Sequence, residues 1–425
     1  MLFPFQNEGV MFLAQRKSAL LADDMGIGKT IQAIVAAKLL FFLKIIVICP
    51  AITVSNWKFE FLKWNSDFSE EDIFIIQNGK ARLPENRKVV ITSYDLLNNG
   101  DILYQIKARR WELCICDEAH YLKSIESKRS HNVLGSAGIV HLAKYNWMLT
   151  GTPILNRPVE LFPMLKVFAD QLIKPYNTYL TFGKHFCAGF DNGYEWDFSG
   201  ASNLEELSER IKPFYLRRTK QEVLQDFPEK FVHLNLFPVD SDINPVLDYE
   251  EETQAAEKET SFSTLRRLTG VCKVNKSIER IQEILDSGVR KLVVFAYHEE
   301  VIKRILDHFY KLYPAVVTGG SRKRQETIDR FVLTDCKLFI GQWKACGVGL
   351  NGLQNVCSKV LFVEVPLTPS EMNQASDRIH RIGQVNRRVD IEYCVQDGTV
   401  DLNACRLIEK KERIINKIIN RRKEI

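Results

Sequence analysis

The chain has 425 residues, more than one compact hydrophobic core usually holds, so two or three domains are expected. With 45% hydrophobic and 26% charged residues, the composition is that of a globular protein and excludes a wholly disordered or fibrous chain. The net charge of +5 permits a polyanionic partner without requiring one. Ten cysteines with no CxxC pair, and no histidine cluster at zinc spacing, argue against a disulfide framework or a structural zinc site.

Membrane-spanning and exported classes of protein do not fit the sequence. The most apolar stretch, residues 39–49, contains Lys44 and ends at Pro50, well short of the ~20 residues of a spanning helix. The N-terminus has no basic start and no small-residue cleavage site. We therefore expect no membrane partner and an intracellular protein, in the cytoplasm or nucleoid of a prokaryote or virus or in a eukaryotic nucleus.

The first half of the chain alternates short apolar runs with helical periodicity. Strands are predicted at 18–22, 45–49, 89–92, 113–116 and 148–149, and a helix over 30–42. Strands that alternate with helices of about ten or more residues indicate crossover units and a parallel sheet with both faces covered.

The middle of the chain has a different character. Residues 160–287 are richer in polar and helical residues, with one predicted strand at 231–236, and residues 248–259 are predicted to be a solvated helix or linker. A second α/β pattern follows, with strands at 291–296, 315–318, 337–340, 359–365 and 391–395 and a helix over 299–312. The predicted fold class is α/β, with two parallel-sheet lobes joined by a mostly helical connector.

Residues 22–30 form a candidate phosphate-binding loop between the first strand and the first long helix of this pattern. Small residues let backbone N–H groups crowd around phosphate oxygens, Lys29 can reach the β- and γ-phosphates, and the Thr30 hydroxyl can ligate Mg²⁺. The strict motif has glycine five places before Gly28, where this chain has Asp23, so the motif is a relaxed version. A glycine-rich turn without function is the alternative.

A pair of acids, Asp117 and Glu118, directly follows the predicted strand at 113–116. The carboxyl end of a strand is where parallel sheets place functional groups. Asp117 is suited to hold Mg²⁺, and Glu118 is suited to polarise an attacking water. Adjacent acids after a strand can also be a plain helix N-terminus, but a phosphate loop upstream favours the catalytic interpretation.

The string Asp117-Glu118-Ala119-His120, together with the phosphate loop Asp23-Asp24-Met25-Gly26-Ile27-Gly28-Lys29-Thr30, resembles the Swi/Snf-type branch of the superfamily-two helicase-like ATPases. Further strings in the family's order carry the resemblance over roughly residues 2–400, with the annealing-helicase subgroup the most similar. They are residues 2–10 with Gln6 in an adenine-reading position, Cys49-Pro50 with Asn56-Trp57, 91–94, 149–153, 216–228, 317–324 and 347–351.

The most specific string is residues 374–384, which contains Arg378 and Arg381. Three positions apart, the two guanidiniums share one face of a helix, and they can meet the γ-phosphate as charge accumulates in the transition state. A solvated basic helix face is the alternative. The family commonly has Trp-Asn-Pro before this helix, whereas this chain has Leu367-Thr368-Pro369, so the role of that tryptophan is not carried over.

The resemblance implies a set of roles for residues of this chain. Catalysis falls to Lys29, Glu118, Arg378 and Arg381, and Mg²⁺ to Thr30 and Asp117. Binding of ATP falls to Gln6, Asp24, Gly26, Ile27, Gly28, Lys29, Thr30, Asp117 and Gly349. Contact with DNA falls to Asn56, Thr92, Ser93, Tyr94, Thr318, Gly319, Ser321, Arg322 and Gly347.

The resemblance also implies an architecture and an activity. It predicts a RecA-like ATP-binding lobe over 1–225 with a helical insertion near 160–215, a connector over 226–287, and a second RecA-like lobe with a C-terminal helix over 288–425. We expect a monomeric motor that hydrolyses ATP in an interlobe cleft, translocates on double-stranded DNA and remodels branched DNA or protein–DNA complexes, with replication, recombination or transcription proteins as partners. A strand-separating or branch-migrating helicase and a nucleotide-regulated DNA- or polymerase-binding scaffold are the alternatives.

Overall fold

The computed structural model describes residues 2–151, 157–224, 227–238, 259–321, 323–346, 352–366, 369–402 and 404–406. These residues form two compact units, and the chain divides between them after Leu224.

The first unit contains nine described helices and nine described strands. The helices are α1 (Pro4–Ala14), α2 (Lys29–Leu39), α3 (Val54–Trp64), α4 (Gly100–Lys107), α5 (Lys128–Leu134), α6 (Phe162–Phe168), α7 (Tyr179–Phe186), α8 (Leu204–Ile211) and α9 (Lys220–Val223). The strands are β1 (Ser18–Leu21), β2 (Ile45–Cys49), β3 (Ile73–Ile75), β4 (Val89–Ser93), β5 (Trp111–Asp117), β6 (Ala143–Leu149), β7 (Phe190–Asp191), β8 (Trp196–Asp197) and β9 (Tyr215–Leu216).

Seven of these strands make one sheet in the order β3-β4-β2-β5-β6-β1-β9, and every neighbouring pair is parallel. Strand β2 shows why both faces are covered: all five of its residues are buried. Ile46 and Ile48 pack into the core on one face, whereas Ile45, Val47 and Cys49 pack into the core on the other. A continuous apolar run is therefore required, because successive side chains point to opposite faces.

The second unit repeats this plan with six described helices and six described strands. The helices are α10 (Glu259–Cys272), α11 (Val274–Asp286), α12 (Glu299–Phe309), α13 (Arg324–Leu333), α14 (Trp343–Cys346) and α15 (Pro369–Ser376). The strands are β10 (Glu229–Phe237), β11 (Leu292–Ala296), β12 (Ala315–Val317), β13 (Leu338–Gln342), β14 (Lys359–Phe362) and β15 (Arg388–Gln396).

The sheet of the second unit has the order β10-β15-β14-β11-β13-β12 and is also parallel throughout. Side chains that alternate along a strand again pack into two separate cores, one on each face of the sheet. Val293 and Phe295 of β11 face one core, and Leu292, Val294 and Ala296 face the other. The predicted fold class, two RecA-like α/β lobes with parallel sheets, is confirmed.

Some elements differ from the sequence prediction. The middle region was expected to hold one strand, but β7 and β8 pair as an antiparallel hairpin and β9 joins the edge of the first sheet. Each of the three is two residues long, too short to leave a periodic signal. The residues assigned to the connector supply β10, α10 and α11 to the second unit, and the predicted limits of the lobes stay a prediction. Within the described ranges, no helix is long and apolar enough to span a bilayer.

Candidate functional site

The predicted nucleotide residues of the first unit converge on one edge of its sheet. The phosphate loop follows β1, Asp117 is the last residue of β5, and Thr150 comes directly after β6. Strands β5, β6 and β1 are consecutive neighbours in a parallel sheet, so these carboxyl ends lie side by side. This edge is the place where open parallel sheets bind ligands.

The phosphate loop depends on glycines with left-handed backbone. Gly26 has φ +83°, and Gly28, with φ +92°, is the residue before the first turn of α2. This backbone is strained for any residue with a Cβ, and a Cβ on Gly28 would also lie 2.6 Å from Nε2 of Gln6. Gln6 donates from that nitrogen to the carbonyl of Ile27 at 3.1 Å. The predicted adenine-reading glutamine therefore touches the phosphate loop directly.

The side chain of Lys29 is held in this loop by two hydrogen bonds. Its ammonium donates to the carbonyl oxygen of Asp23 at 2.8 Å and to that of Asp24 at 3.2 Å, and the residue is 9% exposed. Thr30, the next residue, is half-buried in the first turn of α2. The cation and the hydroxyl that a Mg-nucleotide requires thus stand together at a helix N-terminus.

The Asp117 carboxylate is buried and held by two donors. The indole Nε1 of Trp57, on α3, donates to Oδ2 at 2.8 Å, and the backbone N–H of Glu118 donates to Oδ1 at 3.0 Å. Burial and the nearby charge of Glu118 raise the pKa of Asp117 to about 6, although the indole bond and the charge of Lys29 oppose the rise. Two carboxyl groups in a dry site are a source of unbalanced negative charge, which a divalent cation neutralises.

Glu118 has an unusual backbone and a side-chain partner on the same turn. Its φ of +48° lies in the left-handed region, which is strained for a residue with a Cβ. Its Oε2 lies 3.3 Å from Nδ1 of His120, and the same nitrogen lies 3.2 Å from Oγ1 of Thr150. His120 therefore links the predicted water-polarising acid to the residue that follows β6.

The predicted DNA contacts of the first unit have little exposed surface. Thr92, Ser93 and Tyr94 are 0%, 3% and 1% exposed, and the Tyr94 hydroxyl donates to the carbonyl of Asp117 at 2.9 Å. Asn56 is half-buried on α3. The structure places Tyr94 beneath the acid pair, so its side chain supports that turn. The DNA role of these residues stays a prediction.

In the second unit, the predicted phosphate-gripping loop lies between β12 and α13. The Thr318 N–H donates to the Ser321 hydroxyl at 2.9 Å, and the Gly319 N–H donates to the side chain of Gln342 at 2.9 Å. Arg324 donates to the carbonyls of Gly319 and Ser321 at 2.8 and 3.1 Å. The loop is therefore braced from β13 and from α13. Arg322, Gly347 and Gly349 lie outside the described residues.

The two predicted catalytic arginines are not on one helical face, which corrects the sequence prediction. Helix α15 ends at Ser376, and Arg378 and Arg381 are half-buried in the turns that follow. The reason is the hydrogen-bond pattern: the N–H of Arg378 bonds three residues back and that of Arg381 only two back, which tightens the chain. His380 is buried, and its Nε2 donates to the carbonyl oxygen of Pro228 at 2.7 Å.

Sequence reasoning missed several residues that shape the site. It assigned no role to Trp57, although the residue was noted beside Asn56, and it treated Asp23 only as a departure from the motif. Arg217 and Arg218 entered only as part of the string 216–228 that carries the family resemblance. In the structure, Arg218 and Gln32 bind the Asp23 carboxylate, and Arg217 binds Asp24.

The residues present fit a Mg-nucleotide. The left-handed Gly28 leaves room that a Cβ would fill, Lys29 holds its ammonium in the loop, and the acid pair concentrates negative charge in a largely buried place. Hard oxygen ligands such as the Thr30 hydroxyl and the Asp117 carboxylate are those that Mg²⁺ prefers. The donor set therefore suits a phosphate chain with its metal.

Comparison with protein families gives two matches that together cover most of the chain. Residues 5–277 match the family described as SNF2-related domain, and residues 276–383 match the helicase conserved C-terminal domain.

Curated relatives match over nearly the whole chain. The mouse protein named DNA annealing helicase and endonuclease ZRANB3 is 29% identical over 459 residues, covering 100% of this chain and 41% of the relative. The bovine SWI/SNF-related matrix-associated actin-dependent regulator of chromatin subfamily A-like protein 1 is 31% identical, covering 97% of this chain and 44% of the relative. The chain thus spans about two fifths of the length of these relatives.

Among solved structures, the SWI2/SNF2 ATPase core of Sulfolobus solfataricus in complex with dsDNA is 24% identical over 99% of this chain and 93% of that one, with a TM-score of 0.47. The family matches agree with the phosphate loop, the acid pair and the two parallel sheets described above. The chain belongs to the SNF2-related family of helicase-like ATPases.

Proposed function

We propose that this protein is a double-stranded DNA translocase that uses ATP hydrolysis to remodel branched DNA or protein–DNA complexes. The observation that carries the proposal is that Lys29, the buried acid Asp117 and the half-buried acid Glu118 meet at one edge of the sheet. The names of the relatives, which include annealing helicases and chromatin regulators, support DNA as the substrate.

In this proposal the phosphate loop binds ATP, and Lys29 meets the β- and γ-phosphates. Thr30 and Asp117 would hold Mg²⁺, which when bound neutralises charge on the transferring phosphoryl group. Glu118 orients the attacking water, and His120 sets the position of that carboxylate through its contact with Oε2. The contact of His120 with Thr150 couples the position of this carboxylate to the residue that follows β6.

The second unit would supply Arg378 and Arg381 to the transition state and the loop at Thr318–Ser321 to the DNA backbone. DNA then stimulates hydrolysis if duplex binding favours the state in which the arginines meet the γ-phosphate. Protein partners in replication, recombination or transcription, the intracellular location and the monomeric state stay predictions.

The test is ATP hydrolysis measured side by side with no DNA, single strand, duplex and forked DNA. We expect duplex or forked DNA to raise turnover and the stimulation to fall as salt rises, because a grip on phosphates releases counterions. Lys29→Ala should abolish turnover on every DNA. Equal rates with and without DNA across the salt series would favour the nucleotide-regulated scaffold instead.

One observation favours the strand-separating alternative. The hairpin β7–β8 carries Tyr194, which is 100% exposed at its tip. Asn192 Oδ1 accepts from the N–H groups of Tyr194 and Glu195, each at 2.9 Å, and these bonds close the turn at the tip. Bases stack on exposed aromatic rings. A strand-displacement assay on a fork decides: displacement that Tyr194→Ala abolishes, with duplex-stimulated ATP hydrolysis retained, would establish the helicase activity.

A further inference from the structure

Residues 214–218 of the first unit run beside the nucleotide loop. The N–H groups of Leu20, Ala22 and Asp24 donate in turn to the carbonyls of Phe214, Leu216 and Arg218, at 2.8, 2.7 and 3.0 Å. The parallel pairing of β1 with β9 therefore continues beyond the strands and along the phosphate loop. This backbone contact brings Arg217 and Arg218 to a loop that is nearly two hundred residues earlier in the chain.

Arg218 holds the carboxylate that stands where the strict motif has glycine. Its Nε donates to Oδ1 of Asp23 at 3.0 Å and its Nη2 to Oδ2 at 2.5 Å, and Gln32 of α2 donates to the same Oδ2 at 3.1 Å. Asp23 and Gln32 are 0% exposed and Arg218 is 5% exposed. The carboxylate is therefore fully paired inside the protein, in the two-pronged geometry that arginine provides.

The same guanidinium also reaches α1. It donates to the carbonyl of Phe5, next to Gln6, and its Nη2 donates to Oε1 of Gln32 at 2.8 Å. A Cβ on Gly9 would lie 1.7 Å from that Oε1 and 2.7 Å from Nη2, so a larger residue at this point of α1 would displace both side chains from their present contacts. One side chain thus joins the adenine-reading helix, the phosphate loop and the helix that follows the loop.

Arg217 makes a second attachment to the loop. It donates to Oδ1 of Asp24 at 2.9 Å, to the carbonyl of Ala22 at 2.9 Å and to that of Gly151 at 3.3 Å. The ammonium of Lys29 rests on the carbonyl oxygens of Asp23 and Asp24, the two residues whose side chains these arginines hold.

We propose that Arg218 and Arg217 are positioning residues for nucleotide binding: they fix the backbone of Asp23 and Asp24 and thereby the seat of Lys29. A buried ion pair contributes little net stability compared with apolar side chains of the same volume, so stability alone does not account for it. What the pair provides is one geometry for the loop. The inference rests on the proposed function, because it concerns the binding of ATP phosphates.

The test is the ATP affinity of the folded protein, measured by equilibrium binding of a fluorescent ATP analogue with Mg²⁺. Arg218→Lys keeps the positive charge but lacks the fork, and we expect at least tenfold weaker binding. The matched control is Arg210→Met, which removes an arginine that pairs with Glu206 and with the carbonyls of Leu172 and Lys174 rather than with residues of the phosphate loop. The control should lower the thermal unfolding midpoint and keep the wild-type affinity.

If Arg218→Lys does not fold, Arg217→Met decides, because the Arg217 side chain is twice as exposed, at 12% against 6%. We expect it to weaken ATP binding several-fold while the unfolding midpoint moves no more than in the control. Wild-type ATP affinity, within twofold, in every folded arginine variant would overturn the inference. If the wild-type protein itself fails to bind ATP, the proposed function falls and this inference falls with it.

Discussion

Replacing Trp57 with phenylalanine removes one hydrogen bond from the buried Asp117 carboxylate and keeps an aromatic ring in the core. Trp57 is 1% exposed, and its ring packs against Phe61 in a tilted arrangement. A phenyl ring would therefore retain part of this apolar packing. The indole N–H is directed at Oδ2 of Asp117, at 2.8 Å. The substitution therefore tests whether this donor orients the carboxylate that we assign to Mg²⁺.

The expected size follows from the geometry. A hydrogen bond to a charged group contributes about 1.5–3 kcal/mol. Since about 1.4 kcal/mol equals a tenfold change in an equilibrium constant, loss of the bond should weaken Mg²⁺ binding roughly 10- to 100-fold. Loss of a partner that orients a metal ligand typically costs about the same factor.

The assay is DNA-stimulated ATP hydrolysis at pH 8, where Asp117 is ionised, with Mg²⁺ varied at fixed ATP. We expect the Mg²⁺ concentration at half-maximal turnover to rise at least tenfold and saturating Mg²⁺ to restore most of the rate. Trp64→Phe is the matched control, because Trp64 lies on the same helix and donates at 2.8 Å to Glu60, away from the acid pair. Identical Mg²⁺ curves for Trp57→Phe and wild type would refute the reasoning.

Three further predictions follow from the charged residues. Glu118→Gln should keep ATP affinity but slow single-turnover hydrolysis by roughly 10²-fold or more, and a wild-type rate would contradict its role. Arg381→Ala should leave ATP affinity within a few-fold and lower DNA-stimulated turnover by roughly 10³-fold, which a solvated surface arginine would not do. Burial alone would raise the pKa of Glu392, but hydrogen bonds led by those from Arg280 and Lys359 lower it to about 2 from 4.5. Its stabilising effect, at most about 3 kcal/mol, is therefore present above pH 4.5 and lost as the pH falls toward 2, and urea unfolding of Glu392→Gln should lose that dependence.

Sequence patterns predicted most of the fold because buried parallel strands are continuous apolar runs. The predicted strand at 45–49 matches β2, and the runs at 89–92 and 113–116 lie inside β4 and β5. The sequence patterns did not predict strand β9, because its two residues join the sheet by backbone pairing with β1 and leave no apolar pattern. The helix predicted through Arg378 failed because tertiary contacts such as that from His380 to Pro228 shape the chain after Ser376.

In the candidate site too, some residues could be predicted from local sequence and others could not. Lys29 and Thr30 are adjacent, as are Asp117 and Glu118, so a local string contains the chemistry. Trp57 and Asp117 are 60 residues apart, and no local pattern pairs them. Only the fold brings such partners together, because β2 and β5 are neighbours in the sheet although two other strands separate them in the chain.

Asp23 is 0% exposed, two residues after β1. A buried carboxylate costs several kcal/mol unless it is paired, so its burial requires a cationic partner. Arg218 is that cation, 195 residues away. A segment that only connects two units needs no contact with the nucleotide loop, yet this one contributes backbone acceptors and two arginines to it. Because coupling between sites is reciprocal, nucleotide phosphates that order the loop should also order the chain between Arg218 and Leu224, where the first unit ends.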